Sequence, residues 1–127
     1  MNKYILDSSA VLALINEETG ASAVEKLLSQ SSISSVNLAE VIARLALEGV
    51  PARDAFQAVS DLVQEVVSFE AEDAQGAGAL AFVTRPHGLS LGDRACLATA
   101  ARLRLEAVTA DRAWGKLKLP IKIKIIR

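Results

Sequence analysis

Three acids stand where a carboxylate can do chemistry. Asp7 closes the apolar run YIL, Asp93 opens a helical stretch in LSLGDRACLATA, and Asp111 follows EAVTA in the phrase VTADRAW. A fourth, Glu40, lies inside SSVNLAEVIARL. Carboxylates drawn into one cleft repel each other, and such a cluster is tolerable only with a cation or a shared proton. An all-oxygen ligand set favours Mg²⁺ or Mn²⁺, whereas one cysteine and one histidine cannot make a zinc cluster. A cation held this way polarises a phosphoryl oxygen, acidifies a water and stabilises a leaving oxygen, which is the chemistry of phosphodiester hydrolysis. Arg94, Arg112 and the lysines of the last third are the candidates to hold backbone phosphates.

Each acid also has a local explanation. Asp7 suits an Asx turn or helix N-cap, and Asp111 a loop cap. Ser90 and Asp93 have the S-x-x-D spacing of a capping box, and an acid in the first turn suits the helix dipole. At about 100° per residue Asp93 shares a face with Cys96, Leu97 and Ala100, so it leans toward the core. Glu40 falls with Asn37, Arg44 and Glu48 in a narrow polar stripe, where the simplest expectation is a solvated Glu40–Arg44 pair. Ala39 and Ala43 beside the stripe would let a ligand or sheet edge approach. Cys96 reads as a small core residue and His87, in RPHG, as a loop residue.

The elements that must position these side chains follow from pattern. KYILD predicts a buried strand, and SSAVLALINEE a helix that Ser8 or Ser9 caps. Gly20 opens the helical stretch ASAVEKLLSQ, and SSISS is a weak strand. VNLAEVIARLALEG predicts a helix ending at the C′ glycine Gly49, with Pro51 in the first turn of the next helix, ARDAFQAVSDLV. EVVSF is a β-branched strand, EAEDAQGAGALAFVTR a helix loosened by Gly76 and Gly78, and RPHGLS a loop. LGDRACLATAARLR is helical, EAVTA a strand, DRAWGKLKLP a loop or helical turn, and IKIKII a terminal strand. Strands separated by helices imply parallel pairing with helices on both faces. The alternation of Ile121, Lys122, Ile123, Lys124 and Ile125 places the last strand at an edge. In such a sheet ligands collect beyond the carboxyl ends of the strands, where Asp7 and Asp111 fall.

The whole chain sets bounds on these readings. Its 127 residues suit one domain spanning 1–127. Hydrophobic residues at 51% and charged ones at 23% match a folded globular protein. No apolar stretch approaches the roughly 18 residues of a membrane span, and no signal peptide is recognisable, so a cytoplasmic protein is expected. Net charge is −1, against an indiscriminate nucleic-acid binder, but residues 1–83 hold 4 Lys/Arg against 12 Asp/Glu and residues 84–127 hold 10 against 3. That asymmetry fits either an anionic partner for the basic part or two balancing solvated faces.

In order and over nearly the whole chain, LDSSAVLALI, SSVNLAEVIARL, LSLGDRACLATA and VTADRAW resemble the motifs of PIN-domain ribonucleases, in particular the VapC toxins of bacterial toxin–antitoxin pairs. The resemblance implies a three-layer α/β/α sandwich with a mainly parallel sheet of strand order 3-2-1-4-5. It also implies an acidic Mg²⁺/Mn²⁺ site formed by Asp7, Glu40, Asp93 and Asp111, with the hydroxyls of Ser8 and Thr109 beside it, and it overrides the solvated reading of Glu40. Further implications are an RNA substrate, a homodimer, and a cognate VapB-like antitoxin whose C-terminal segment fills the groove. Two other classes compete. A phospho-acceptor receiver domain would need an acid pair after the first strand and an acceptor Asp after a middle strand, and DSS and EVVSFEAED supply neither. A non-catalytic binding module would leave the acids as caps and surface pairs.

Overall fold

A computed structural model describes residues 2–127. Five strands, β1 (Tyr4–Leu6), β2 (Ser31–Ser34), β3 (Glu65–Val67), β4 (Glu106–Thr109) and β5 (Ile123–Ile125), form one sheet. All pairings are parallel and the order is β3-β2-β1-β4-β5. The expected strand order and the edge position of the last strand are both found. β3 therefore sits at an edge, which excludes the receiver arrangement, whose order of 2-1-3-4-5 makes the third strand central.

Seven α-helices connect the strands: α1 (Ser8–Ile15), α2 (Ala21–Glu25), α3 (Ser35–Leu47), α4 (Ala52–Leu62), α5 (Ala71–Ala79), α6 (Ala81–Thr84) and α7 (Leu91–Leu103). Because successive strand residues point to opposite faces, the fully buried neighbours Ile5 and Leu6 enter different cores. Leu6 joins Val11, Val24, Ile33, Val41 and Val59 under α1 to α4, whereas Ile5 joins Cys96, Leu97, Ala100, Ala107 and Trp114 under α7. Each such side chain contributes roughly 1.5–3 kcal/mol on burial.

β2 is a strand that propensity alone undersells. Three of its four residues are serines, all at 0% exposure. Their hydroxyls are matched: Ser31 Oγ donates to Leu27 O at 2.7 Å, Ser32 Oγ to Tyr4 O at 3.3 Å, and Ser34 Oγ accepts from Val36 N to cap α3. Buried hydroxyls with partners cost little, and small side chains leave room for helices on both faces.

Local boundaries differ from the pattern reading in several places. ASAVEKLLSQ splits into α2 and a 3₁₀ turn at Leu28–Gln30, and EAEDAQGAGALAFVTR breaks at Leu80 into α5 and α6. Pro51 is the N-cap of α4, one residue before its first turn. Within RPHGLS, Arg85–His87 form a 3₁₀ turn, as do Arg112–Lys116 in DRAWGK, and β5 begins at Ile123. Gly49 ends α3 with φ +96, as a C′ glycine should.

Candidate active site

The carboxyl ends of β1 and β4 face one space, with the starts of α1 and α7 and the first half of α3 around it. Asp7 follows β1 directly and is 2% exposed. Its Oδ1 accepts from Ala10 N at 2.9 Å, so Asp7 itself is the N-cap of α1. Of the two caps expected, this is the Asp7 one, and it displaces Ser8 and Ser9; an Asp side chain in extended backbone reaches the N3 amide. Ser9 turns back instead, donating to both Asp7 oxygens at 2.7 and 2.9 Å and accepting from Ala110 N. Thr109 Oγ1 donates to Asp7 Oδ2 at 2.7 Å and accepts from Asp111 N at 3.0 Å. The last strand residue of β4 thus links the first acid to the backbone of the fourth.

Asp93 occupies the first turn of α7. Its Oδ2 accepts from Ser90 N at 2.9 Å while Ser90 Oγ accepts from Asp93 N at 3.3 Å, the reciprocal cap expected from the spacing. Asp111 caps the 3₁₀ turn after β4 through Ala113 N, as a loop cap should.

Glu40 makes no ion pair with Arg44, contrary to the expectation from the helical wheel. Its Oε1 accepts from Ser8 Oγ at 3.0 Å and from Asn37 Nδ2 at 2.9 Å. Asn37, which the wheel placed in a solvated stripe, is fully buried and also donates to Gly92 O at 3.0 Å. The reason is tertiary: α7 crosses this face of α3 at Gly92. A Cβ there would lie 2.5 Å from Glu40 Cδ and 2.6 Å from its Oε1, so only glycine lets the carboxylate lie against α7. Asn37 and Gly92 are the members of the site that pattern reading missed. The i, i+3 spacing of Asn37 and Glu40 was a usable signal; Gly92, inside a helix, carried none.

The charge of Asp93 acts on Asp7, and the charges of Glu40 and Asp111 act on Asp93. Burial drives the Asp7 pKa from 3.8 up to about 6 against the opposing hydrogen bonds of Thr109, Ala10 and Ser9, and the charge of Asp93 adds to the rise. Asp93 is raised too, first by burial and then by the charges of Glu40 and Asp111, against its bonds to Ser90. None of the four has an ion-pair partner among the described residues. Clustered, partly desolvated carboxylates without a cation favour an external positive charge or a retained proton.

Arg94 donates from Nη1 to Ala77 O at 2.9 Å, spanning from α7 to α5. Arg112 lies exposed beside Asp111, its Nε donating to Arg127 O at 3.1 Å. Among the described residues no helix is long and apolar enough to cross a membrane.

A family model described as the PIN domain matches residues 4–119, and no curated protein matches the sequence. Among solved structures, VapBC2 from Rickettsia felis bound to a promoter DNA fragment superposes with a TM-score of 0.72 at 17% identity, covering 95% of this chain and 96% of that one. Mycobacterium tuberculosis VapC20, a toxin that cleaves the sarcin-ricin loop, gives 0.72 at 19% identity over 91% and 97%. A toxin–antitoxin complex from Klebsiella pneumoniae gives 0.71 at 21% identity over 95% and 100%. The strand order, the acids at the carboxyl edge and a family match over most of its length agree: this chain belongs to the PIN domain family.

Proposed function

We propose that the chain is a divalent-cation-dependent endoribonuclease, a hydrolase acting as a toxin of the VapC kind. The observation that carries this is the convergence of Asp7, Glu40, Asp93 and Asp111 on one edge of the sheet, none of them ion-paired among the described residues. The donor chemistry fits Mg²⁺ or Mn²⁺, since every candidate ligand is a hard oxygen. Among the described residues no three His, Cys, Asp or Glu side chains form a group arranged to hold a metal ion. Mg²⁺ commonly takes one or two carboxylates and keeps water in its other positions. When bound, the ion supplies charge compensation and Lewis acidity at the scissile phosphate.

The protein's own residues supply position. Thr109 and Ser9 clamp both oxygens of Asp7, Ser90 orients Asp93, and Ser8 with Asn37 holds Glu40. Burial lifts the Asp7 carboxyl to a pKa of about 6, so a cation beside it would favour its ionised form. Arg112, exposed beside Asp111, is the better placed of the two arginine candidates for the RNA backbone, because Arg94 already spans to α5.

Two partners belong to this reading. A VapB-like antitoxin is supported by the solved relatives, several of which are VapBC complexes; a basic side chain entering the acid cluster would inhibit by the charge that catalysis uses. A homodimer is supported by Phe82, 91% exposed, with Leu91 and Val83 also uncovered.

The test is cleavage of cellular RNA by the purified chain with Mg²⁺ or Mn²⁺, with and without chelator, beside Asp7→Asn. Cleavage by the parent that the chelator and the substitution both abolish is expected. Equal cutting by the variant, or cutting in chelator, would overturn the reading. The binding-module alternative predicts neither turnover nor stabilisation by metal.

A further inference from the structure

At the opposite end of the sheet from the acids lies a cavity of about 620 Å³, and its lining is basic. It opens where β1, β4 and β5 begin and where α7 ends. Its charged residues are Lys3, Arg104 and Lys122 against the single acid Glu106, and Tyr4, Leu105 and Ile121 provide apolar wall.

The ladder places the two lysines on either side of β4. Glu106 N donates to Lys3 O at 2.9 Å and Ala107 N donates to Lys122 O at 2.8 Å. Register and alternation put Lys3 on the α7 face with Leu105 and Ile121, beside the end of α7, and turn Lys122 to the other face in the row of Glu106.

Arg104 closes the arc from above. It ends α7 in the left-handed region, φ +57, with its N–H bonded to Ala101 O and Leu105 N bonded to Ala100 O. Glycine is the usual occupant of such a cap, because a Cβ is disfavoured there. The chain instead carries a guanidinium at this point, over the cavity. Backbone amides, not the guanidinium, meet the Ala100 and Ala101 carbonyls at this end of α7. Among the described residues none of Lys3, Arg104 and Lys122 has an ion-pair or side-chain hydrogen-bond partner.

We propose that this cavity binds a nucleoside monophosphate, its phosphate held by Lys3 and Arg104 and its base laid against Leu105 and Ile121. The volume falls in the range of small-ligand sites, roughly 300–1,000 Å³, and such sites pair an apolar wall with a few convergent polar groups. Forked guanidinium donors match phosphate oxygens, and lysines add point charge. The site is separate from the carboxylate edge and does not depend on the ribonuclease reading.

Calorimetric titration of the full chain with AMP, adenosine and inorganic phosphate tests it. Excess EDTA keeps the acid edge from taking nucleotide through a cation. AMP should bind one to one with a sub-millimolar dissociation constant that weakens with salt, and adenosine at least about tenfold more weakly. Arg104→Gly, which places the favoured residue in the left-handed cap, should keep the melting temperature at or above the parent's while weakening AMP binding at least about tenfold. Lys3→Gln, exposed just before β1, should weaken it in the same sense. The proposal is overturned if AMP gives no binding to the parent, if adenosine binds as tightly as AMP, or if both variants bind AMP as the parent does.

Discussion

The first turns of α5 and α7 are built alike and end in opposite states. In each, an aspartate three residues after the N-cap accepts the cap residue's backbone N–H at 2.9 Å: Asp73 from Glu70, Asp93 from Ser90. Asp73 then receives Arg102 twice, Nε to Oδ1 at 2.6 Å and Nη2 to Oδ2 at 2.9 Å. Although burial works against it, this guanidinium and the Glu70 amide hold the Asp73 carboxyl below its ordinary value. Asp93 meets no cation, and burial with the charges of Glu40 and Asp111 lifts it. One α7 helix serves both ends, for Arg102 in its last turn pairs with the α5 cap while Arg94 near its start reaches Ala77 O near the end of α5. A cap is thus compatible with either role, and the neighbours contributed by distant segments decide whether the acid is structural or left open to a ligand.

Exchanging the two acids for amides should separate these roles most sharply. Asp93→Asn is expected to lower RNA cleavage by at least about 100-fold, the scale of removing one preorganised charged group, while the melting temperature stays or rises. Asp73→Asn should do the reverse, leaving the charge of Arg102 uncompensated at a cost of about 3 kcal/mol, measured from the denaturant midpoint, with the folded fraction still cleaving.

The pH dependence should differ in sign between Asp73 and the acid cluster. Asp7 has a folded pKa of about 6 against 3.8, so between those values the folded state binds more protons than the unfolded one. Stability then falls as pH rises from about 4 to about 6, by about 3 kcal/mol, with chelator present, and it levels off above that. Asp7→Asn should flatten this fall, and urea midpoints across the range would read it. Asp73, lowered in the folded state, contributes in the opposite sense: its stabilisation is present above its unfolded pKa and is lost as the solution is acidified through the folded one.

Two glycines offer the smallest contrast. Gly92→Ala would push a methyl into the Glu40 carboxylate and should cost about tenfold in cleavage, as disturbed supports of a metal site do. Gly76→Ala on α5 would place its Cβ 3.2 Å from Ala98 Cβ. The helix-propensity gain of about 1 kcal/mol should offset the small shift between helices, leaving activity unchanged. Loss of cleavage in Gly76→Ala would show that α5–α7 packing also sets the site.

Some of this was readable along the chain because the forces are local. The Ser90–Asp93 reciprocal cap, the Gly49 stop and the alternation of IKIKI act within a few residues, and the structure has each of them. Glu40 was not readable in this way. Its helical wheel describes α3 alone, and the wheel cannot know that Gly92, far along the chain, comes to lie against its carboxylate. The same holds for β2, whose serines look like loop until Leu27 O and Tyr4 O supply their acceptors.

By itself the sequence determined the order of strands and helical stretches, the Ser90–Asp93 cap and the parallel α/β class, because hydrogen-bond geometry and hydrophobic period are short-range. Its four motifs also marked the acids through resemblance. Tertiary structure alone decided which acids share a field and which is neutralised by Arg102. It also gathered three lone cations at the other end of the sheet. Charges act through space, and only the sheet order brings residues as distant as Asp7, Glu40, Asp93 and Asp111 to one edge.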